Sequence, residues 1–411
     1  MKLLARVGDR LRGPRFEAQP RLRRHRSTVN FPLSYVAFGV ALFLSFVVVT
    51  FPPFRYTFFA IPFFVLMAVL GDREIRVGDE IHSFLIICMA AVVLGPLGIK
   101  EGLKDAFLIF AGVSIGLVAN LPKISVRTLF FINIVCMVIF FAIFGDKSHM
   151  LAFDFEHSQS PFEGNFGFIF GMLAVFAMLD RKWLLAACCI VMSVAALKRV
   201  ALLGAVMAGI FVLMGPRLGR KILNPLVMIL INLGIVMMTL HYAVGDFNHI
   251  ITSLTGQSAN QLGEGRQILY LMTANKIFAD PWKFGLYGDG PGSVYTLLGS
   301  RAGEVVHGSL HSDLLKICYE YGFLIFTIFI GSMYMSKSYS VRVACLFMNV
   351  LYATDNCLIY YFLLFPFIVL TRAAQEKEEL EAAGGVQGDR PPTSEAPARA
   401  GVRRRMPLNS T

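Results

Sequence analysis

Charge is scarce in this chain: only 16% of its 411 residues are Asp, Glu, Lys or Arg, whereas 56% are hydrophobic. Soluble globular domains carry about 25% charged residues, so the composition excludes an ordinary soluble protein. Bases outnumber acids, 38 to 27, but they cluster in short segments between apolar runs. That distribution is typical of membrane proteins that follow the positive-inside rule and does not indicate a nucleic-acid partner. We expect an all-α, polytopic membrane protein.

The cysteines lack the spacings of a zinc site or of a disulfide framework. No CxxC pair occurs, and every cysteine lies inside an apolar run: Cys88, Cys136, Cys188, Cys189, Cys318, Cys345 and Cys357. We expect small buried side chains at these positions. The sequence therefore indicates neither a structural metal nor a set of disulfides.

The pattern of the sequence predicts neither a cleavable signal peptide nor internal repeats. Residues 1–32 are rich in arginine, and the apolar run that follows them has no small-residue cleavage site,. Transporters built on inverted repeats show paired interrupted helices in their two halves, whereas this chain has one long polar loop in its second half. We expect a basic cytoplasmic tail at the N-terminus and no repeat-based transporter fold.

Apolar runs predict about twelve transmembrane helices, since a helix of about 20 residues crosses the hydrocarbon and shorter ones suffice where the bilayer is thin. The runs are 33–50, 56–70, 81–98, 103–119, 128–144, 165–179, 183–197, 200–214, 224–243, 311–334, 343–354 and 357–371. They divide the chain into five parts: a basic cytoplasmic tail (1–32), a transmembrane bundle (33–243), a loop (244–310), further transmembrane helices (311–371) and a disordered cytoplasmic tail (372–411).

The charge of the connections predicts their sidedness. With the N-terminus inside, each cytoplasmic connection carries at least two bases: 71–80, 120–127, 180–182, 215–221 and 335–342,. The polar Thr354-Asp355-Asn356 is costly in mid-membrane and divides 343–371 into two spans,. We therefore expect both termini in the cytoplasm and the long loop, with helices of its own between spans nine and ten, on the outer side.

Two basic positions are candidates for holding an anion. Lys198-Arg199 stands at an outer turn between two short spans. The pair either binds an anion such as a phosphate or extends its charged ends into the headgroup region. Arg266 begins an apolar-periodic run that ends at Asp280-Pro281,. It lies at a helix N-terminus, where free N–H groups also attract anions, although a solvated arginine satisfies the spacing equally. Residues 288–292, Gly-Asp-Gly-Pro-Gly, lack the ending of a phosphate loop and predict a rigid turn,.

His307 and His311 are four residues apart, but no third ligand stands at a recognisable spacing, so a metal site is not indicated,. His311, at the mouth of a span, suits a general base because the unperturbed pKa of histidine lies near neutrality. Asp313 and Glu320 are seven apart and share one helix face,. Acids within a span usually line a cavity or pair with a base.

The order of these motifs resembles the O-antigen ligase and O-antigen polymerase superfamily of bacterial membrane glycosyltransferases. Lys198-Arg199-Val-Ala-Leu-Leu is similar to the family's Ser-Arg motif, with lysine in place of serine. The resemblance covers about residues 160–335, and its further elements are Gly265-Arg266, Asp280-Pro281, the turn at 288–292, His311-Ser312 and, after nine intervening residues, Gly322. The fold that it implies is GT-C-like.

The resemblance implies an enzyme that transfers a glycan from undecaprenyl diphosphate at the periplasmic face of the bacterial inner membrane, with inversion and without a metal or cofactor. Arg199 and Arg266 would stabilise the departing diphosphate, and His311 would orient or deprotonate the acceptor hydroxyl. Further substrate-binding candidates are Lys198, Arg301, His307, Asp313 and Glu320. The implied partners are the lipid-linked donor, a glycan or lipid-linked glycan acceptor, membrane lipids and a chain-length regulator.

Departures from the family pattern bear on the exact activity. Ser312 stands where asparagine is common, and Phe323-Leu-Ile follows Gly322 where a small residue is common. Because the ligase-like pattern is incomplete after Gly322, we expect a polymerase of lipid-linked repeat units; the alternative is a ligase that moves the finished glycan to lipid A core. A hypothesis of another class is a lipid-linked glycan transporter or flippase, which predicts charges along a path through both leaflets.

Overall fold

A computed structural model of the chain describes residues 33–72, 74–144, 165–263, 265–299 and 310–388, and these ranges are helical without a β-strand. The α-helices, in chain order, are α1 (Leu33–Thr50), α2 (Ile61–Asp72), α3 (Asp79–Val93), α4 (Lys100–Val113), α5 (Val126–Phe144), α6 (Phe166–Leu179), α7 (Trp183–Ala195), α8 (Arg199–Met214), α9 (Pro216–Ile222), α10 (Pro225–Val244), α11 (Asn248–Thr255), α12 (Ala259–Leu262), α13 (Arg266–Ala279), α14 (Pro281–Leu286), α15 (Ser293–Gly299), α16 (Asp313–Met333), α17 (Tyr339–Thr354) and α18 (Tyr361–Gly388). Short 3₁₀ helices occupy Pro52–Ala60, Gly95–Leu97, Ser114–Leu117 and Cys357–Ile359. The expected all-α class is confirmed.

Four helices of the described part are long and apolar enough to cross a membrane, namely α1, α5, α10 and α16. Shorter apolar helices of 10–17 residues include α6, α7 and α8. The run 343–371, for which the sequence predicts an interruption at Asp355, forms two helices, α17 and α18. Each apolar run thus coincides with a helix, but the boundaries differ by up to six residues for most runs, and α18 ends 17 residues after the run 357–371.

The centre of the fold is α6, which has no polar face. Every residue from Phe166 to Met178 is buried, as expected for a helix that is apolar all round. Glycines allow its neighbours to come close: a Cβ added at Gly171 would stand 3.0 Å from Ala201 of α8, and one at Gly204 would stand 2.9 Å from Phe347 of α17. The small residues therefore permit α6, α8 and α17 to pack with their backbones close together.

Gly322 interrupts α16 with a φ of 80° and a ψ of 164°. In a continuous α-helix the carbonyls of Tyr319 and Glu320 accept from the residues four positions later. Here they accept from the backbone N–H groups of Asp289, at 2.8 Å, and Gly290, at 3.0 Å. Because a buried carbonyl without a donor is costly, the turn at residues 288–292 stabilises the break.

The turn at residues 288–292 is held on its other side by the connection between α3 and α4. The Pro291 carbonyl accepts from the Ile99 N–H at 2.9 Å. A Cβ on Gly98 or Gly102 would lie 2.4 or 2.3 Å from Pro291 backbone atoms, so only glycine fits there. The turn itself needs positive φ angles, which it adopts at Gly288, Gly290 and Gly292,. This geometry agrees with the predicted rigid turn.

The last part of α18 carries charged side chains that pair with connections between other helices. Glu376 contacts Arg76 at 3.1 Å, Lys377 contacts Asp180 at 2.9 Å, and Glu378 contacts Arg220 at 2.6 Å. The composition predicted disorder from residue 372, but residues 372–388 continue as helix. The pairing with these connections explains the order, and the remainder of that tail, like residues 1–32, lies outside the described residues.

Glu378 makes the densest set of these contacts. Its carboxylate accepts from the Ser338 hydroxyl at 2.7 Å and from the backbone N–H groups of Tyr339 and Ser340 at 3.1 and 3.2 Å. Partial burial acts to raise the pKa of Glu378, but these hydrogen bonds and Arg220 outweigh it and lower the pKa. The carboxylate therefore satisfies the first N–H groups of α17 and joins α18 to that helix.

We expect Glu378→Gln to lower the free energy of unfolding by about 1–2 kcal/mol at neutral pH, because it removes the acceptor charge at the start of α17. The depressed pKa makes this contribution fully present above the pKa of the unfolded chain, and lost as the pH falls through the folded-state pKa. Thermal unfolding in detergent should thus show a difference from the parent chain that narrows in acid. Glu381→Gln, an exposed change one turn later, is the control and should unfold like the parent at both pH values.

Gly322→Ala is expected to destabilise the fold by about 2 kcal/mol or more, since its φ disfavours a side chain and the new Cβ would meet the backbone N of Tyr287 at 2.7 Å,. The matched control is Gly234→Ala in the middle of α10, where a Cβ has nothing within 4 Å and should be neutral or stabilising by roughly 0.5–1 kcal/mol,. Melting temperature and monodisperse yield in detergent measure both. Equal stability of the two variants would contradict the proposed role of the break.

Candidate functional site

Three segments meet at the end of α17 and in the connection from there to α18, residues 355–360. The Arg266 guanidinium donates to the Thr354 carbonyl at 3.3 Å. The backbone N–H of Asp313 donates to the Asp355 carbonyl at 3.2 Å, and the Asp313 carboxylate accepts from the Leu358 N–H at 2.6 Å. The first residues of α13 and α16 therefore lie against one connection, which brings predicted residues Arg266 and Asp313 together.

The position of Arg266 follows from the start of α13. Gly265, with a φ of 82°, precedes the helix and turns the chain into it,. The next side chain, Gln267, donates to the Tyr242 carbonyl at 2.9 Å and to the Asn248 side-chain oxygen at 2.7 Å. These bonds fix the start of α13 against the end of α10. The half-buried Arg266 is thus presented at a helix N-terminus, where the helix dipole adds partial positive charge,.

Tyr270 links Arg266 to His311. It lies one turn after Arg266 on α13, and its hydroxyl donates to the His311 carbonyl at 3.1 Å. Burial raises the pKa of Tyr270 to about 12; the nearby Arg266 charge acts to lower it and the Asp355 charge to raise it. The hydroxyl therefore keeps its proton at neutral pH and remains a donor. Arg266, His311 and Asp355 accordingly surround one tyrosine.

His311 has an unusual backbone conformation, with a φ of 52°. Such a left-handed conformation costs a non-glycine residue about 1–2 kcal/mol, although histidine tolerates it better than most. The following residue, Ser312, is the N-cap of α16 and accepts from the Leu315 N–H at 3.3 Å. The His311 side chain itself is half-buried. Strained residues that their surroundings hold in place are often found at functional sites.

Lys198, in the turn between α7 and α8, is linked to the connection at residues 355–360 through an aromatic ring. Its ammonium lies 5.6 Å from the centroid of the Phe168 ring, and that ring lies 5.9 Å from the ring of Tyr360. A Cβ on Gly167 would stand 2.6 Å from the Lys198 side chain, so glycine makes room for the lysine. Arg199, the next residue, is exposed at the start of α8. Lys198 is thus linked to Tyr360 through the ring of Phe168, and Arg199 follows it in the chain.

Glu320 lies in different surroundings from Asp313, although both belong to the first half of α16. The Glu320 carboxylate is buried and accepts from the Val294 N–H at 3.4 Å, beside the turn at residues 288–292. Between the two acids, Lys316 forms a buried ion pair with Asp105 at 2.5 Å. Asp313 therefore belongs to the cluster around residues 355–360, whereas Glu320 contacts the segment that supports the break in α16.

Arg301 and His307 lie outside the described residues. Within the described ranges, no group of three His, Cys, Asp or Glu side chains could hold a metal ion.

Sequence reasoning missed two members of the cluster, Asp355 and Tyr270. Asp355 is half-buried, its carbonyl accepts from Asp313, and its carboxylate accepts from the Asn356 N–H at 2.7 Å. The sequence did mark Asp355, because Asp355 and Asn356 interrupt a long apolar run. That interruption was interpreted only as the boundary between two spans. Tyr270 gave no such signal, because a tyrosine on an apolar stripe usually packs in a core.

A cavity of about 620 Å³ adjoins the cluster on the side of Tyr360. Its walls are mostly aromatic, with one base, and include Tyr56, Phe58, Lys104, Phe140, Phe166, Tyr360, Tyr361 and Phe362. Such walls suit an apolar chain or the faces of sugar rings. The arrangement thus combines cations that can bind an anion, an imidazole that can take a proton, and an adjacent apolar cavity.

No protein-family model, no curated protein and no solved structure matches the chain.

Proposed function

We propose that the chain is a glycosyltransferase of the bacterial inner membrane that polymerises undecaprenyl-diphosphate-linked repeat units at the periplasmic face. The observation that carries the proposal is that Arg266, His311 and Lys198 are all linked to residues 354–360. Arg266 donates to the Thr354 carbonyl, and Lys198 is linked to Tyr360 through the ring of Phe168. His311 lies two residues before Asp313, which bonds to Asp355 and Leu358. These three residues stand in the motifs that resemble the O-antigen polymerase and ligase superfamily. In the sequence, Arg266 lies more than 60 residues after Lys198, and His311 lies 45 residues after Arg266.

The proposed topology has twelve spans, α1 to α8, α10 and α16 to α18, with both termini in the cytoplasm. Two sets of contacts support it. Connections that are assigned to the cytoplasmic side are joined by the end of α18, which pairs with both of them through Arg76–Glu376 and Asp180–Lys377. Connections assigned to the outer side also contact one another, as where Ile99 meets Pro291. The several spans of 12–16 residues are short for a typical bilayer and require local thinning or extension by their flanking turns,.

The cations would act on the leaving group. As the bond between the anomeric carbon and the diphosphate oxygen breaks, its electron pair leaves with undecaprenyl diphosphate, and negative charge grows there. Arg266, at the N-terminus of α13, and Arg199 with Lys198, at the turn before α8, supply fixed positive charge. Such groups stabilise the transition state more than the ground state when they are preorganised. These charges meet the electrostatic need of a metal-independent reaction.

His311 would act on the acceptor. The acceptor hydroxyl attacks the anomeric carbon from the face opposite the diphosphate, which inverts the configuration, and the neutral imidazole accepts the hydroxyl proton. Tyr270 holds the His311 carbonyl and so positions the residue, while Asp355 stands within electrostatic range of the same tyrosine. The aromatic cavity beside Tyr360 offers a place for the apolar part of a lipid-linked substrate.

We expect His311→Ala to abolish glycan transfer while expression and folding stay intact, because other groups anchor the segment through its backbone. A small loss of thermal stability is expected, since alanine tolerates the left-handed conformation less well than histidine. Lipid-linked donor and acceptor are incubated with purified protein, and the products are resolved by length. His249→Ala, an exposed histidine of the same loop segment, is the matched control and should retain activity. Normal polymer from His311→Ala would overturn the assignment of the base.

Product analysis in cells distinguishes the polymerase from its alternatives. A deletion strain that carries a single repeat on its lipopolysaccharide supports the polymerase, whereas long chains stranded on the carrier indicate a ligase. Purified protein that moves lipid-linked glycan between leaflets but forms no glycosidic bond would indicate a transporter.

Tyr270→Phe should reduce kcat roughly fivefold with little change in KM, since the lost hydrogen bond is worth about 1 kcal/mol and positions His311 without contacting substrate. The pH–rate profile should shift as well, because the imidazole is less well fixed. Tyr339→Phe is the control: its hydroxyl donates to the Phe211 carbonyl, and Tyr339 begins α17, whereas the cluster lies at the other end of that helix. A purely structural role for Tyr270 predicts that both variants lose stability and that neither alters the pH profile.

A further inference from the structure

Four large apolar side chains are exposed between the end of α13 and the residue after α14, although the ring of one, Phe278, lies 6.2 Å from that of His241 in α10. We call them the α14 patch: Phe278, Trp282, Leu286 and Tyr287, exposed by 44%, 82%, 55% and 42%. Their segment belongs to the long polar loop of the sequence, in which water-exposed tryptophan and leucine are unexpected. A contiguous exposed patch of this kind marks an interaction surface.

The patch is held rigidly by the opposite face of α14. Phe284 is buried, and its ring stacks on that of Tyr319 with centroids 5.1 Å apart. The carbonyl of Leu286 lies so close to Gly322 that a Cβ there would stand 2.9 Å from it. Trp282 and Leu286 are therefore displayed by a helix that is docked on the break of α16.

The exposed apolar surface continues from α14 onto α16. Directly beyond Gly322, the side chains of Leu324 and Ile328 are 50% and 44% exposed on one face. α16 is one of the helices that are long and apolar enough to cross a membrane. If α16 spans the bilayer, Leu324 and Ile328 face acyl chains, and the α14 patch extends the same surface beyond the helix break.

The composition of the patch matches the boundary between hydrocarbon and headgroups. Tryptophan and tyrosine favour that boundary because their rings are apolar and their N–H or O–H groups are polar. The flanking bases, exposed Lys276 and half-buried Lys283, suit lipid phosphates, although Asp289 already pairs with Lys283. A protein partner offers no comparable match to the continuity with α16.

We infer that the α14 patch inserts into the headgroup boundary of the outer leaflet and anchors α13 to the membrane surface. Arg266 stands at the other end of α13, so the anchor holds this cation beside the plane in which a lipid-linked diphosphate lies. The inference rests on the membrane placement within the proposed function and not on the transfer reaction itself.

The chain contains only two tryptophans, Trp183 and Trp282, which permits a direct test. Trp183→Phe leaves Trp282 as the single reporter in the full chain, reconstituted in phosphatidylcholine and phosphatidylglycerol vesicles. Emission is measured with nitroxide lipids labelled near the headgroup or near the chain end, and with aqueous acrylamide. We expect the headgroup-proximal nitroxide to quench Trp282 severalfold more than the chain-end nitroxide, with weak quenching by acrylamide.

Other outcomes overturn the inference in distinguishable ways. Full quenching by acrylamide without quenching by lipid nitroxides places the patch in water, and protection from all quenchers indicates burial against a second copy. Stronger quenching by the chain-end nitroxide indicates insertion into the hydrocarbon. The reciprocal variant Trp282→Phe reports from Trp183 at the start of α7: if lipid nitroxides quench neither tryptophan, the membrane placement fails too, whereas quenching of Trp183 alone overturns only the anchor. Trp183→Tyr replaces Trp183→Phe should that variant fold poorly.

Discussion

The candidate site depends on the hydrogen bonds of one buried residue, Asp313. Its own N–H donates to the Asp355 carbonyl, and its side chain accepts from the Leu358 N–H. The connection at residues 355–360 interrupts two helices, so its backbone groups need partners in a region where most side chains are apolar. Asp313 supplies one donor and one acceptor at once. It thereby fixes the start of α16, and with it His311, against the end of α17.

The break in α16 follows the same principle at a second place. Where Gly322 ends the regular helix, the carbonyls of Tyr319 and Glu320 receive N–H groups from the turn at residues 288–292. The cost of the break is offset only because that turn offers two N–H groups in a row, and glycines with positive φ make this possible,. At both places, the backbone groups that an interrupted helix leaves without partners form hydrogen bonds with a second irregular segment from elsewhere in the chain.

These pairings also mark the limit of what the sequence could predict. Apolar runs predicted the helices, because length and hydropathy are local properties, and they predicted the division at Asp355. They could not separate Asp313 from Glu320, since seven-residue spacing puts both on one face of a straight helix, whereas their partners, Leu358 and Val294, come from distant segments. Tyr270 was missed for the same reason: its importance lies in a bond to His311, 41 residues away.

The main chain around His311 is held by groups other than those that would carry out the proposed reaction. The groups that fix the segment around His311 act on the main chain: Tyr270 on the His311 carbonyl, Asp355 on the Asp313 N–H, and the Ser312 hydroxyl on the Leu315 N–H. A left-handed residue is thus held through its backbone by groups from several segments. In the proposed reaction this matters because a general base must change protonation state during each cycle. The hydroxyl and carbonyl groups that make these bonds do not depend on the charge of the imidazole, so they can hold the backbone of the segment in both protonation states.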